Sequence, residues 1–104
     1  MRIGIIGTGW VGASVAISTL HLGLARELLL ADVRHDVAEG EALDLAHGSA
    51  FVPTASVRAV EVEAMVDCDA VVIAAGRAGT ATQSRLDLLR DNAAIVGALV
   101  ARLR

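Results

Sequence analysis

The sequence is poor in several residue types, and each shortage excludes a class of protein. Its one cysteine, Cys68, excludes an internal disulfide, so we expect a reducing, cytoplasmic location. It has no lysine, and its nine arginines are scattered, which gives no sign of a nucleic-acid partner. No apolar run reaches the roughly 18 residues of a membrane span, so we expect no membrane partner. The N-terminus leads straight into a strand, and no signal peptide is predicted.

What the sequence does have is apolar bulk. Of its 104 residues, 55% are hydrophobic and only 2% are aromatic, with a mean hydropathy of +0.61 and a net charge of −3. The length allows one domain at most. Such a chain is too apolar to be disordered, and it suits an α/β domain whose strands are buried on both faces. Its core must be built from Ala, Val, Leu and Ile.

The stretch from Arg2 to Gly12 predicts a buried strand that runs through a glycine-rich turn into a helix. In G-x-G-x-x-G the first glycine permits the tight turn, and the second lets a pyrophosphate approach the backbone. The third lets the helix pack close to the strand. The N-terminus of the helix then offers unpaired N–H groups to the phosphates. The motif consists of Gly7, Thr8, Gly9, Trp10, Val11 and Gly12.

A carboxylate at the end of the second apolar run strengthens this motif, which alone is a weak signal. Asp32 lies roughly 20 residues past Gly12, at the spacing that dinucleotide-binding domains use for the residue on the adenosine ribose. A carboxylate there repels a 2′-phosphate, so NAD is favoured over NADP, although Arg34 could soften that preference. The alternative is a glycine-rich turn in an ordinary α/β domain, with Asp32 starting a helix.

Four apolar runs, over 3–6, 27–32, 56–62 and 70–75, predict strands, and the last reads as fully buried. The order β-α-β-α-β-β-α predicts a Rossmann-like α/β fold, a parallel sheet with strand order 3-2-1-4 and flanking helices. Residues 1–104 then form the N-terminal portion of a doubly wound domain, without a fifth strand beside the fourth. That open apolar edge predicts either a fragment or a homo-oligomer formed through the edge or the last helix.

Helix boundaries are predicted from glycines and capping residues. The first helix, over 11–22, is apolar on most sides, so we expect it to be buried on most sides and to end at Gly23. A capping-box pattern from Asp36 to Glu39 opens the second helix, which ends near Gly48. The last helix begins near Ser84 and reaches the end of the chain.

Three segments resemble the NAD-binding domain of the L-lactate and L-malate dehydrogenase family. They are the glycine turn over 7–12, the segment over 44–51, which is closer to the lactate branch, and the segment over 75–92. The last carries S-R-L-D-L-L-x-x-N, which a generic dinucleotide-binding domain has no reason to contain. The resemblance covers essentially the whole chain. It implies an NAD-dependent oxidoreductase that transfers a hydride between NAD and a small 2-hydroxy acid.

The resemblance also implies roles for single residues. Ala75 and Gly76 would line the cofactor with backbone, and Asn92 would contact it. Arg85 would lie on a mobile loop that closes over the substrate and would polarise its carbonyl, since a guanidinium stays charged and donates in a fixed geometry. The alternative for Arg85 is a solvated arginine at the start of a helix. No metal is implied.

The chain departs from the family pattern in two places. At the position that usually selects the substrate, lactate enzymes tend to have Gln and malate enzymes Arg, whereas this chain has Gly79, so the substrate stays open. The acid/base histidine and the C-terminal catalytic domain of the family would lie beyond residue 104. We therefore expect no activity from this chain alone. The alternative function is a stand-alone or degenerate nucleotide-binding module without catalysis.

Overall fold

The computed structural model describes residues 1–48, 55–76 and 82–104. Helices and strands alternate along most of the chain, as the sequence predicts. A 3₁₀ turn, Val62–Met65, joins the last two strands. The elements are β1 (Arg2–Ile6), α1 (Trp10–His21), β2 (Glu27–Ala31), α2 (His35–His47), β3 (Ser56–Ala59), β4 (Ala70–Ile73) and α3 (Arg85–Arg102).

The four strands form one parallel sheet with the order β3-β2-β1-β4, which confirms the prediction. In the central strand, Ile5 lies opposite Leu30 of β2 and Val72 of β4. Because all strands run in the same direction, the segments that follow β1, β2 and β4 meet at one edge of the sheet. This edge carries the glycine turn.

The core lies on both faces of the sheet, which explains why β1 and β2 are apolar without alternation. In β2, Leu28 and Leu30 face α1 and α2, whereas Leu29 and Ala31 face the 3₁₀ turn and α3. All four are at most 2% exposed. Burial of each leucine side chain contributes about 1.5–3 kcal/mol relative to an exposed one. Helices therefore cover both faces, as in a doubly wound domain.

Three predictions about the burial or the ends of strands and helices are wrong in detail. β3 ends at Ala59, because the N–H of Val60 makes its bond to the carbonyl of Leu30 and the chain then enters the 3₁₀ turn. β4 is half-buried, because no described strand pairs with its outer edge. In α1, Val11 and Ile17 are 69% and 43% exposed, because the sheet covers one side of the helix and no described element covers the other.

The helix ends follow the prediction at α1 and at the C-terminus of α2, where Gly48 is the C-cap, and depart from it at the N-terminus of α2. Gly23 has a φ of 66° and ends α1. The capping box at Asp36 is wrong: α2 begins at His35, and its N-cap residue Arg34 makes no side-chain capping bond. The carbonyl of Arg34 accepts the N–H of Val37, so the first turn closes two residues earlier than predicted.

No helix in the described ranges combines the length and the apolar character that crossing a membrane requires.

Candidate functional site

The glycine turn after β1 is so tightly packed that two of its glycines admit no side chain. Gly7 has a φ of 96°, and a Cβ on it would lie 2.7 Å from the backbone nitrogen of Ala75. A Cβ on Gly12 would lie 1.7 Å from the carbonyl oxygen of Gly7. Gly9 differs, since a Cβ there would meet no described atom within 4 Å. The turn is thus closed at Gly7 and Gly12 and open at Gly9, where a ligand can approach the backbone.

The N-terminus of α1 lies at this open position without a cap. Gly9 is its N-cap residue, no side-chain cap bond forms, and the first turn contains no acidic residue. The first N–H groups of a helix have no partner within the helix, and they carry the positive end of its dipole. The turn is therefore suited to bind a phosphate group. Trp10 and Val11 begin the helix as exposed side chains, 94% and 69% accessible.

Asp32 lies directly beside the turn, although 24 residues separate it from Thr8. Its Oδ2 accepts the backbone N–H of Thr8 at 2.8 Å and the Thr8 hydroxyl at 3.0 Å. Its Oδ1 accepts the N–H of Arg34 at 3.0 Å. Burial raises the pKa of Asp32, but these hydrogen bonds and the charge of Arg34 outweigh it, so the pKa lies below the ordinary value. The carboxylate is therefore ionised and fixed at neutral pH.

The segment after β4 lies at the same carboxyl ends of the strands as the glycine turn. The N–H of Ala74 donates to the carbonyl of Ile6 at 2.8 Å, which brings Ala75 against Gly7. A Cβ on Gly76 would lie 3.2 Å from Oδ1 of Asn92 in α3. The structure thus brings together the predicted residues Ala75, Gly76 and Asn92 with the glycine turn.

These segments line a cleft of about 640 Å³. Five of the predicted cofactor residues line it, and its far wall comes from the 3₁₀ turn and from one side of α3. Sequence reasoning missed that wall, although Ile95, Leu99 and Arg102 share one helical face, on which Ile95 and Leu99 read as core positions. The lining residues are Ile6, Gly7, Gly9, Ala31, Asp32, Val33, His35, Glu61, Val62, Ala74, Ala75, Gly76, Ile95, Leu99 and Arg102.

Polar side chains that contact one another surround the outer part of the cleft. His35 lies 3.2 Å from Glu39 and 3.8 Å from Glu61, and Arg102 donates to both carboxylate oxygens of Glu63 at 2.6 and 3.0 Å. Hydrogen bonding to Arg102 lowers the pKa of Glu63. All these side chains are largely exposed, so the pairs fix geometry more than they stabilise the fold.

Arg85 lies apart from the cleft. It is the first residue of α3 and is exposed, and the hydroxyl of Ser84 caps the helix by accepting the N–H of Asp87 at 3.1 Å. Just before the helix, the Gln83 amide donates to Asp91 at 2.7 Å, which joins Gln83 to α3. Gly79, the predicted substrate-selecting position, lies outside the described residues.

Other chemistry is scarce in the described part of the chain. No cluster of His, Cys, Asp and Glu there could hold a metal ion. Cys68 is a half-buried free thiol, and burial raises its pKa, so it is not an activated thiolate. The one constellation of turn, carboxylate and cleft is therefore the candidate site.

Known proteins are similar to this chain in sequence and in fold. The family model for the lactate/malate dehydrogenase NAD binding domain matches residues 1–104. The L-lactate dehydrogenase of Kosmotoga olearia is 42% identical over 101 residues, which cover 96% of this chain and 31% of that protein. The L-lactate dehydrogenase of Lactococcus lactis subsp. cremoris is 44% identical over 103 residues, with 98% and 33% covered. The chain thus spans about a third of the length of these relatives.

Two solved structures are similar as well. The minor L-lactate dehydrogenase from Enterococcus mundtii superposes with a TM-score of 0.94 at 40% identity, covering 98% of this chain and 33% of that one. A lactate dehydrogenase from a Medee basin deep-sea metagenome library superposes with a TM-score of 0.93 at 38% identity, over the same shares.

Proposed function

The chain belongs to the lactate/malate dehydrogenase family through its NAD-binding domain, and we propose that it supplies the cofactor site of an NAD-dependent L-2-hydroxy-acid dehydrogenase. NAD is the cofactor that this domain family binds. The observation that carries the proposal is the ionised Asp32, held against the glycine turn at the mouth of a cleft.

In this proposal the adenosine half of NAD binds between the turn and α3. Asp32 accepts a hydrogen bond from the adenosine ribose, and its charge disfavours the 2′-phosphate of NADP. The pyrophosphate lies at the uncapped N-terminus of α1, near the open position at Gly9. The apolar wall that includes Ile95 and Leu99 is suited to the adenine ring.

The remaining predicted residues complete the cofactor side. Ala75 and Gly76 contact NAD with their backbone, and Asn92 lies against Gly76, where its amide can reach the cofactor. Trp10 and Val11 flank the phosphate site as exposed side chains at the start of α1. Thr8 and Gly12 are buried and do not line the cleft, so we assign them no direct contact with the cofactor.

The reaction we propose is hydride transfer between NAD and a small 2-hydroxy or 2-oxo acid. Arg85 is the residue we assign to the substrate carbonyl, where a fixed positive charge stabilises the oxygen as negative charge develops on it. Its exposed position at the start of α3 leaves the guanidinium accessible to a substrate. Gly79 is proposed as the substrate-selecting position.

We further propose that the 104 residues alone bind NAD without turnover. The chain spans about a third of its dehydrogenase relatives, and the family resemblance implies that the acid/base histidine lies outside these 104 residues. A proton-transfer group and a carboxylate-binding group are both needed for the reaction. We also propose a homo-oligomer, because α1 and the outer edge of β4 leave apolar surface exposed.

A second candidate function is a nucleotide-binding module without catalysis. The exposure of Arg85, away from the cleft, favours it. A chimaera with the portion of a relative that this chain does not span distinguishes the two. If fusion to the C-terminal portion of a lactate dehydrogenase gives an active chimaera that loses activity on Arg85→Gln, the enzyme assignment holds.

Calorimetric titration with NADH, ADP-ribose and NADPH tests the cofactor site. We expect NADH and ADP-ribose to bind the parent chain, NADPH to bind more weakly, and Asp32→Ala to abolish binding. Asp36→Ala is the matched control, because Asp36 is an exposed carboxylate outside the cleft and its loss changes the net charge equally. Unchanged affinity in Asp32→Ala would refute the assignment.

A further inference from the structure

Thr8 is a buried polar residue inside an apolar turn. It is 3% exposed, does not line the cleft, and is one of two buried polar side chains in the described residues. Its N–H and its hydroxyl both donate to the same oxygen of Asp32, at 2.8 and 3.0 Å. Thr8 therefore contacts Asp32, the residue that we assign to the ribose, from the side away from the cleft.

This pair of bonds restrains the carboxylate in a way that the backbone alone does not. A single N–H donor on each oxygen would leave the plane of the carboxylate free to tilt. The second donor on Oδ2 comes from a side chain that is itself enclosed, so the orientation of Asp32 is set before a ligand arrives. A hydrogen bond to a ribose hydroxyl depends on that orientation, since such bonds weaken steeply as they bend.

We propose that Thr8 is a positioning residue, whose hydroxyl orients Asp32 for the 2′-hydroxyl of the adenosine ribose. The inference rests on the proposed cofactor site and extends it to a residue that does not touch the cofactor. It also joins the ribose site to the phosphate site, because the same Asp32 oxygen holds the N–H of the glycine turn.

A purely structural role for Thr8 is the competing explanation. In that case the hydroxyl only stabilises the turn by making a hydrogen bond. Its loss would then weaken the binding of every ligand equally. ADP and 2′-deoxy-ADP separate the two explanations, because they differ by the one hydroxyl group that Asp32 is expected to bind. A positioning role makes the effect of the substitution depend on that hydroxyl.

The experiment measures the dissociation constants of both nucleotides for Thr8→Val, Thr8→Ala and Thr8→Ser. We expect Val and Ala to weaken ADP binding roughly three- to tenfold, as for one lost hydrogen bond, and to leave 2′-deoxy-ADP within about twofold. Ser restores the affinity for ADP. Thr19→Val is the matched control, because Thr19 is also buried and its hydroxyl donates to the carbonyl of Val15, away from Asp32.

Each outcome decides between the explanations. Equal loss for both nucleotides, no loss for either, or a failure of Ser to restore ADP binding overturns the positioning role. If the methyl group that replaces the hydroxyl in Thr8→Val prevents folding, as judged by circular dichroism, Thr8→Ala provides the test. A parent chain that binds neither ADP nor NADH overturns the proposed function itself, which distinguishes that failure from a failure at Thr8.

Discussion

Replacement of Gly12 by alanine tests whether the glycine turn is as closed as its geometry indicates. Within a helix, glycine to alanine normally stabilises by about 0.5–1 kcal/mol. Gly12 is the third residue of α1, so helix propensity alone predicts a gain. The added Cβ, however, would lie 1.7 Å from the carbonyl oxygen of Gly7, which is less than half of a normal contact distance of about 3.5–4 Å.

That collision cannot be relieved by a side-chain rotation, because the opposing atom is backbone. The helix and the turn must separate by roughly 1 Å or more, whereas overpacking by a methyl group commonly costs about 1–3 kcal/mol. Movement of Gly7 would also strain its N–H bond to Ala31 at 2.8 Å. We expect Gly12→Ala to lower the free energy of unfolding by about 2–3 kcal/mol and to abolish NADH binding.

Gly40→Ala is the matched control, measured by urea unfolding followed by circular dichroism. Gly40 lies within α2, and a Cβ there meets no described atom within 4 Å outside the backbone of its own helix. It should therefore gain about 0.5–1 kcal/mol, which in a domain of this size raises Tm by roughly 2–8 °C. The reasoning is wrong if the two variants shift stability in the same direction, or if Gly12→Ala still binds NADH like the parent.

Three further predictions follow from burial and charge. Because the pKa of Asp32 is lower in the folded state, its contribution to stability is present at neutral pH and is lost as the pH falls below about 4; Asp32→Asn should flatten this part of a urea-unfolding pH series. Leu29→Ala should cost about 2–5 kcal/mol in the same assay, because Leu29 is 0% exposed, whereas Val33→Ala, at 99% exposed, should change stability by less than about 0.5 kcal/mol. Glu27→Gln should lower Tm most at low salt, because Glu27 accepts from both Arg2 and Arg58 across three strands; an unchanged salt dependence would contradict this.

The sheet and the glycine turn were predictable because local chemistry determines both. Only glycine fits at a φ of 96° beside another strand, as at Gly7, and β2 is followed by a carboxylate whose spacing from the turn has a known use. The strand order followed from the same motif. These features depend on neighbours in sequence or on a fixed supersecondary unit, so the periodicity and the spacing of residues predict them.

The far wall of the cleft was not predictable, because it depends on packing between distant segments. Leu99 contacts the sheet face that carries Leu29, and nothing near either residue in sequence indicates this. The capping box at Asp36 failed for a different, local reason. Asp32 accepts the N–H of Arg34, two residues on, which turns the chain earlier and starts α2 at His35. A local hydrogen bond to one carboxylate thus replaced the capping bond expected from another.

The motif residues also divide in a way that spacing alone does not reveal. Gly9 faces open space, whereas Thr8, its neighbour in the motif, faces inward and holds Asp32. The motif therefore specifies a hydrogen bond between the glycine turn and the carboxylate after β2, in addition to contacts with a ligand. Since the same carboxylate must satisfy Thr8 and bind a ribose, substitution at Asp32 disturbs the turn as well as the ligand. The hydroxyl of Thr8 offers the more selective perturbation, because it can be removed while both the turn N–H and the carboxylate remain.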